Sequence, residues 1–330
     1  MVAYNRAYIH SLTHHTGSIM SNTTTVAIVQ HGPVYLNKAA TLQKAEALLA
    51  EAAKQAQLVV FGETWLSGYP AWLDHCPNAA LWNHEPTKAV FALHHTSGIA
   101  VPGPETAMLC KWAKALGVCV VMGVNEVVNS GPGHCTIYNS LITINNQGNL
   151  VNHHRKLMPT YTEKLVYGHG DGAGLQAVDT PAGKLGGLIC WEHWMPHSRM
   201  AMHMQAEQIH VAVWPTVHDM HQVACRNYAF EGRTFVIGAG QMLKANELPQ
   251  QLELPAHFKE NPEQWVLKCG SCVVGPDGHY ILEPVYDKEA ILYASIDTTL
   301  TTKEKMSLDV TGHYNRPDVF DFSVNGNRPK

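Results

Sequence analysis

The chain has 330 residues, of which 45% are hydrophobic and 15% charged, so it can bury one large core or two modest ones. Its 23 basic and 27 acidic residues give a formal net charge of −4, and no Lys/Arg cluster is present that would follow a phosphate backbone. This composition argues against a nucleic-acid partner, and the lack of any apolar run of about 18 residues argues against a transmembrane helix.

The first 24 residues are expected to form a loose N-terminal leader. They contain no continuous apolar segment of the kind that a secretory signal peptide needs. We therefore expect a cytoplasmic protein, and Met20 is an alternative functional start of the chain.

Histidine and cysteine raise the question of a metal. The chain has 21 histidines, but it contains neither a His-Glu-x-x-His motif nor paired Cys-x-x-Cys units. His218 and His221 have the spacing of neighbours on a helix, so a metal site there is the alternative to surface or core histidines. The lone Cys-x-x-Cys of Cys269 and Cys272 fits a strand before an Asp-Gly turn better than a redox pair. We expect no metal, no disulfide framework and no cofactor.

Strands and helices alternate through the first half of the chain. The run TTVAIVQ (24–30) is rich in β-branched residues, whereas alanine and leucine recur at helical spacing in residues 37–56. Further strands are predicted over 58–63, 118–124, 137–144 and 150–154, with a helix over 104–116. This order indicates an α/β fold.

The second half repeats the alternation. Strands are predicted over 184–190, 209–215 and 234–240, with helices over 196–207 and 219–232. Residues 242–265 contain prolines and polar residues without a clean period, so we predict an insertion or a long surface excursion. SCVVGPDGHYILE predicts a hairpin with an Asp-Gly turn, and 291–297 another strand. Without a Gly/Pro/Ser-rich linker, we expect a single domain over 25–322 and a short tail at 323–330.

Three polar residues follow apolar strands: Glu63 after LVVFG, Lys156 after LVNHHR, and Cys190 after KLGGLI. Because open α/β sheets place ligands at the carboxyl ends of their strands, the three residues are expected to share one pocket. Each alone has an ordinary explanation, since a cysteine that ends a strand is more often a core thiol and a strand-terminal Glu or Lys is usually solvated. Their joint occurrence favours a reactive site.

The three residue types complement one another chemically. A thiol attacks only as the thiolate, so Cys190 needs a base to take its proton or a cation to lower its pKa. Glu63 can act as the base and Lys156 as the cation. The set suits attack on an electrophilic carbon bonded to nitrogen, with Lys156 and the backbone N–H of Trp191 stabilising the negative charge that develops.

Six motifs follow one another along the chain: FGETWLSGYP (61–70), HRKLMPTYTEKLVYGHGDG (154–172), GGLICWEHWMP (186–196), HVAVWPTVHDMHQVACRNYAFEGRTFV (210–236), GSCVVGPDG (270–278) and TGHYNRPDVF (311–320). With these motifs the chain resembles the nitrilase branch of the carbon–nitrogen hydrolase superfamily from about residue 25 to 322. It departs from the family at Gly62, where a proline usually precedes the glutamate. The resemblance implies a four-layer α-β-β-α sandwich.

The resemblance also implies roles for individual residues. Glu63 is the general base, Lys156 the cationic stabiliser, Cys190 the nucleophile, and Glu163 of YTEK the second active-site carboxylate. Pro159 interrupts any continuous helix between Lys156 and Glu163, so their spacing does not bring them together by itself, and a solvated Glu163 is the alternative.

Two aromatic residues beside the motifs, Trp191 and Tyr69, are the candidates for lining the substrate pocket. A place in the core is the alternative for both side chains.

The sequence Cys-Trp-Glu at 190–192 and the late GHYNRPD resemble nitrilases and differ from aliphatic amidases and carbamoylases. The expected function is hydrolysis of an organic nitrile to the carboxylic acid and ammonia through a cysteine thioimidate and thioester. An amidase or carbamoylase with the same Glu-Lys-Cys site, a cyanide-hydrolysing enzyme and a non-enzymatic scaffold are the alternatives. The partners expected are the nitrile and further copies of the chain, in a homo-oligomer built from dimers.

Overall fold

A computed structural model of the protein describes residues 23–328. The predicted leader at 1–24, with the alternative start at Met20, lies outside the described residues except for its last two positions. The last two residues of the predicted tail at 323–330 lie outside them as well. The described chain folds around two β-sheets that pack face to face.

Thirteen strands and eight α-helices form the regular structure of residues 23–328. The strands are β1 (Thr23–Gln30), β2 (Leu58–Phe61), β3 (Cys119–Val127), β4 (Ile137–Ile144), β5 (Leu150–Arg155), β6 (Val178–Thr180), β7 (Gly183–Ile189), β8 (Ile209–Val213), β9 (Phe235–Ala239), β10 (Met242–Lys244), β11 (Trp265–Val274), β12 (Tyr280–Tyr286) and β13 (Ala290–Asp297). The helices are α1 (Lys38–Ala52), α2 (Trp72–His75), α3 (Glu85–Ser97), α4 (Pro104–Leu116), α5 (Pro196–His203), α6 (Asp219–Gly232), α7 (Ala256–Glu260) and α8 (Thr299–Glu304).

Local sequence signals account for the ends of the longer helices. The side chain of Asn37 accepts a hydrogen bond from the backbone N–H of Ala40, which satisfies one of the unpaired donors at the start of α1. Gly117 ends α4 in a left-handed conformation with φ 68°, which a glycine adopts without steric cost.

Both sheets are mixed. The first has the order β13-β1-β2-β3-β4-β5, and the second the order β10-β11-β9-β8-β7-β6 with β12 paired to β11. β1, β2 and β3 are parallel neighbours in the first sheet, as are β7, β8 and β9 in the second. The antiparallel pairs β3–β4 and β4–β5 restore the original direction, so β2 and β5 end at the same edge of the first sheet.

Alternating side chains along each strand build the layers. In β1, Val26 and Ile28 pack into a cluster with residues of the second sheet, whereas Ala27 and Val29 pack into a cluster with Leu49 of α1. Helices α1 and α4 therefore cover the outer face of the first sheet, and α5 and α6 cover the second. The resulting α-β-β-α sandwich confirms the expected fold class.

The predicted strands of both halves are present, with ends that differ by a few residues. The helix predicted over 37–56 ends at Ala52, and the one predicted over 196–207 ends at His203. Neither α2 nor α3 is predicted from the sequence, because these segments carry too few apolar residues at helical spacing. None of the helices in the described part of the chain combines the length and apolar character needed to cross a bilayer.

Residues 242–265, predicted as an insertion or a long surface excursion, are exposed at many positions, but they are more regular and more firmly attached to the core than that prediction implied. The segment begins with β10, which pairs with β11, and it contains α7. Leu248, Leu252 and Phe258 are buried in a third apolar cluster together with Tyr69 and Trp72. A segment without a regular apolar period can still bury its few apolar side chains, because the surrounding loops supply an apolar surface for them to pack against.

Candidate active site

The chain brings Glu63, Lys156 and Cys190 to one place. Glu63 follows β2 and Lys156 follows β5, so both leave the same edge of the first sheet, and Cys190 follows β7 of the facing sheet. Gly123 on β3 has no side chain, which allows the turn from Gly62 to Glu63 to lie directly against that strand. The predicted convergence of these three residues is therefore observed.

Lys156 joins two carboxylates in a buried cluster. Its Nζ lies 2.9 Å from Glu63 Oε1, 2.8 Å from Glu163 Oε1 and 2.7 Å from Glu163 Oε2. All three side chains are buried. We call Glu63, Lys156 and Glu163 the lysine cluster. Burial by itself lowers the pKa of Lys156, but its acidic neighbours raise that pKa well above the usual value, so the amine stays an ammonium.

Glu163 is buried rather than solvated. It lies in a short 3₁₀ helix, Tyr161–Leu165, whose tight turn aims the carboxylate back at Lys156. Tyr69 donates its hydroxyl to Glu163 Oε1 at 3.0 Å, and the backbone N–H of Thr160 donates to Glu163 Oε2 at 3.1 Å. Tyr69, a candidate for the pocket lining, thus contacts the second carboxylate.

Glu63 keeps one carboxylate oxygen available. Asn139 Nδ2 donates to Glu63 Oε1 at 2.7 Å, and the amide of Gln241 donates to the Glu63 backbone carbonyl. Glu63 Oε2 is buried without a hydrogen-bond partner among residues 23–328. Burial raises the pKa of Glu63 to about 7, against the opposing effect of Lys156 and with a further rise from Glu163. A carboxylate with this pKa and a spare oxygen can accept and return a proton near neutral pH.

Cys190 presents its sulfur to both carboxylates. Its Sγ and one oxygen each of Glu63 and Glu163 all lie within 4.8 Å of one another. Cys190 has a φ of 53°, a left-handed conformation that is uncommon for a residue with a side chain. Burial and the charge of Glu63 raise the pKa of the thiol well above its usual value, whereas Lys156 lowers it. Cys190 therefore rests as a thiol, and it would need a base in order to act as a nucleophile.

The residues that follow Cys190 form a 3₁₀ helix, Cys190–Trp194, which we call the nucleophile turn. Glu192 is buried in it and binds two backbone N–H groups, those of Leu157 and Ile189, each at 2.7 Å. His154 Nε2 lies 2.9 Å from Glu192 Oε2. One carboxylate thus ties the segment after Lys156 to the segment before Cys190.

Trp191, the other candidate for the pocket lining, carries a half-exposed side chain at 53% relative accessibility. Its backbone N–H faces the Cys190 sulfur and lowers the pKa of the thiol. The main chain of Trp191 therefore contacts the Cys190 thiol, and its indole is the part of the residue that is available to line a pocket.

The same atoms resemble the donor set of a metal site, since Glu63, Glu163 and Cys190 form the one such group found among the described residues. Lys156 Nζ already donates to both carboxylates, so the chain itself supplies the positive charge between them. His221 Nδ1 lies 2.8 Å from the carbonyl oxygen of Thr216, and its ring stacks on Trp214. The absence of a metal and of a cofactor remains a prediction.

Sequence reasoning missed three residues that support the site. Asn139 and Gln241 bind Glu63, and His154 binds Glu192. Asn139 and His154 interrupt apolar or β-branched strands with polar side chains, a signal that indicates a buried partner. Gln241 follows the buried strand β9 in the same way that Glu63 follows β2.

Comparisons with known proteins agree with this geometry. The sequence profile of the family described as carbon-nitrogen hydrolase matches residues 25–305. Nitrilase 2 of an unknown prokaryotic organism is 37% identical over 311 residues, which cover 93% of this chain and 94% of that protein. A bifunctional nitrilase/nitrile hydratase of Nicotiana tabacum is 37% identical over 310 residues, covering 92% and 87% of the two chains.

Among solved structures, Saccharomyces cerevisiae Nit3, a member of branch 10 of the nitrilase superfamily, has the same fold. The TM-score is 0.65 at 21% identity, over 89% of this chain and 97% of that chain. The chain belongs to the nitrilase branch of the carbon–nitrogen hydrolase superfamily. It is a hydrolase that acts on carbon–nitrogen bonds in nitriles, as the motifs predicted.

Proposed function

We propose that the enzyme converts an organic nitrile to its carboxylic acid and ammonia through a covalent intermediate on Cys190. The observation that carries the proposal is the buried thiol within 4.8 Å of two carboxylates that a single ammonium joins. A base, a cation and a nucleophile in one dry site are the groups that addition to a polarised carbon–nitrogen bond requires.

In the first step, Glu63 Oε2 accepts the proton of the Cys190 thiol while the sulfur attacks the nitrile carbon. The nitrile nitrogen takes that proton back from Glu63, so a carbon–sulfur bond forms and one carbon–nitrogen π bond breaks. The product is a thioimidate. Lys156 supplies the positive charge that stabilises the nitrogen as it becomes negative, and Glu163 holds the ammonium in place.

In the second step, Glu63 accepts a proton from water, whose oxygen adds to the thioimidate carbon. The nitrogen takes this proton, which gives a tetrahedral intermediate with a hydroxyl and an amino group. Glu63 then passes the hydroxyl proton to the nitrogen, so the carbonyl forms, the carbon–nitrogen bond breaks, and ammonia leaves a thioester. A second water, activated by the same carboxylate, releases the carboxylic acid and restores the Cys190 thiol. The overall reaction consumes one nitrile and two waters.

The tetrahedral intermediate of the second step can also lose sulfur instead of nitrogen, which releases an amide. The Nicotiana tabacum relative is named as a bifunctional nitrilase/nitrile hydratase, and this supports a measurable amide product here as well. The protonation state of the nitrogen decides between the two outcomes, so the Lys156 ammonium and Glu63 govern the ratio.

A panel of nitriles tests the proposal. We expect ammonia and the carboxylate in equal amounts from at least one aliphatic, aromatic, arylacetonitrile or cyanide substrate, with the amide as a by-product. The matching amides serve as the control. Turnover of the amides with none of the nitriles would overturn the proposal in favour of an amidase or carbamoylase.

We further propose a homo-oligomer in the cytoplasm, built from dimers. Helices α5 and α6 leave apolar side chains exposed on the outer face of the second sheet, among them Met204, Val223 and Phe230, which supports pairing through these helices. Light scattering should give at least twice the 36.3 kDa of one chain. A species of one chain mass at working concentration would contradict the prediction.

A further inference from the structure

A chain of buried ionisable groups leads from the carbonyl of Cys190 into the second sheet. His193 Nδ1 lies 2.7 Å from the Cys190 carbonyl oxygen, and His193 Nε2 lies 3.0 Å from His210 Nε2. His210 Nδ1 in turn lies 2.9 Å from Glu207 Oε2. The side chains of His193, His210 and Glu207 are all buried.

The number of protons that these hydrogen bonds require determines the charge of the two histidines. The Cys190 carbonyl and the Glu207 carboxylate only accept hydrogen bonds, so each facing Nδ1 must carry a proton. The contact between the two Nε2 atoms needs one more proton between them. Two neutral imidazoles hold two ring protons, whereas these contacts require three. The His193–His210 pair therefore carries one positive charge, which the Glu207 carboxylate balances.

The surroundings oppose a charge on His193 itself. Burial and the neighbouring His210 lower the pKa of His193 well below its usual value. Glu207 has a pKa of about 2, because His210 and His203 outweigh the opposing effect of burial. His193 is thus neutral with its proton on Nδ1, and its Nε2 accepts the hydrogen bond from His210 Nε2.

Packing holds the two rings in this arrangement. The ring of His193 stacks on Trp214 at 4.8 Å, and that of His210 stacks on Tyr228 at 3.8 Å. Tyr228 also donates its hydroxyl to the second oxygen of Glu207. Gly186 on β7 leaves the space that the Glu207 carboxylate occupies, since a β-carbon there would collide with it.

We propose that His193 is a positioning residue for the nucleophile. Its Nδ1–H bond to the Cys190 carbonyl holds Cys190 at a φ of 53°, and the charged His210–Glu207 pair imposes the His193 tautomer that makes this bond. The inference rests on the proposed role of Cys190 as the nucleophile. It adds a second support to the nucleophile turn, besides the one that Glu192 provides.

Two substitutions of His193 separate the hydrogen bond from the bulk of the ring. His193→Phe keeps an aromatic ring beside Trp214 but removes the donor, so kcat should fall by about 10²-fold with KM changed by less than about 2-fold. His193→Asn places an amide N–H near the position of Nδ1 and should restore activity to within about 10-fold of the unmodified enzyme. A kcat for His193→Phe close to that of the unmodified enzyme would overturn the proposal.

A double-mutant cycle tests the tautomer. Glu207→Gln removes the charge that retains the third proton, so kcat should fall by about 10-fold or more when residue 193 is histidine. In the His193→Asn background the same change should cost less than about 2-fold, because an amide donor has no tautomer to be set. Equal losses in both backgrounds would reduce the pair to a structural role. This comparison remains decisive if His193→Phe does not fold.

The rate of Cys190 alkylation by iodoacetamide gives a readout that does not depend on nitrile turnover. Mass spectrometry should show slower labelling of Cys190 in His193→Phe by on the order of 10-fold, with labelling restored in His193→Asn. If the enzyme turned over no nitrile but kept this pattern, the proposed function would fail and the positioning role would stand. Unchanged labelling in His193→Phe would refute the positioning role alone.

Discussion

Glu163 of the lysine cluster and Glu192 of the nucleophile turn are both buried carboxylates beside reacting groups, yet they bind different partners. Glu163 accepts hydrogen bonds from the Lys156 ammonium and the Tyr69 hydroxyl, with one backbone N–H. Glu192 accepts from two backbone N–H groups and contacts His154. The first carboxylate therefore controls a charge, and the second controls the path of the chain.

The lysine cluster and the nucleophile turn also differ in how completely their carboxylates are hydrogen-bonded. In the lysine cluster Glu63 Oε2 has no partner in the described chain, whereas both oxygens of Glu192 in the nucleophile turn are bound. A buried acceptor without a partner costs free energy, and the mechanism proposed above uses Glu63 Oε2 to take a proton. Glu192 thus uses both oxygens to hold the path of the chain, whereas Glu63 keeps one acceptor oxygen available for the proton transfers proposed above.

The largest effect is expected for Cys190→Ala. Loss of the nucleophile should abolish ammonia release, while removal of one sulfur atom leaves the fold intact by circular dichroism. Cys119→Ala, which removes a buried thiol from β3 far from the carboxylates, is the matched control and should alter stability more than turnover. Turnover by Cys190→Ala near the rate of the unmodified enzyme would show that the wrong thiol was assigned.

Glu163→Gln should come next, with turnover lowered by on the order of 10²-fold or more in a folded protein. The amide keeps the shape of the side chain but removes the negative charge that holds the Lys156 ammonium. Steady-state kinetics with circular dichroism measures the effect. A turnover close to that of the unmodified enzyme would leave Glu63 as the sole carboxylate required in the lysine cluster.

The pH dependence follows from Glu63. Because burial raises its pKa to about 7, the base is protonated in acid, and kcat/KM should rise by about 10-fold per pH unit up to that value. The effect of pH on stability has the opposite sign. Because the pKa of Glu63 is higher in the folded protein than in the unfolded chain, protonation of Glu63 stabilises the fold in acid, and this stabilisation is lost as pH rises through about 7. Rate profiles with activity re-measured after return to neutral pH distinguish titration from unfolding. A flat profile across this range would exclude Glu63 as the base.

Glu192→Gln should have the smallest effect on turnover and a clear effect on stability. A glutamine offers one oxygen to two backbone donors, so one N–H loses its partner at a cost of about 1–3 kcal/mol in the free energy of unfolding. Chemical denaturation measures the stability, and kinetics should show more residual activity than in Glu163→Gln. The reverse order of activities would break the contrast between the two carboxylates.

The amino-acid sequence was sufficient for the three residues that end strands. Glu63, Lys156 and Cys190 each follow an apolar run. The strand directions bring Glu63 and Lys156 to one edge of the first sheet, and the facing sheet brings Cys190 to the same site. The contact of Asn139 with Glu63 could not be predicted from the sequence, because Asn139 lies inside a strand and the two residues are 76 positions apart. Sequence spacing carries no information about a partner so distant.

What the sequence determined by itself is the alternation of strands and helices, the membership of the family and the residue types that meet in the candidate site. These depend on local periodicity and on short motifs, which are properties of neighbouring residues. The tertiary structure alone decided that Glu163 turns inward and that 242–265 packs against the loops around Tyr69. It also decided that His193, His210 and Glu207 form one hydrogen-bonded chain. The reason is that burial and hydrogen bonding between distant segments depend on how loops close around the sandwich, and no local pattern encodes that closure.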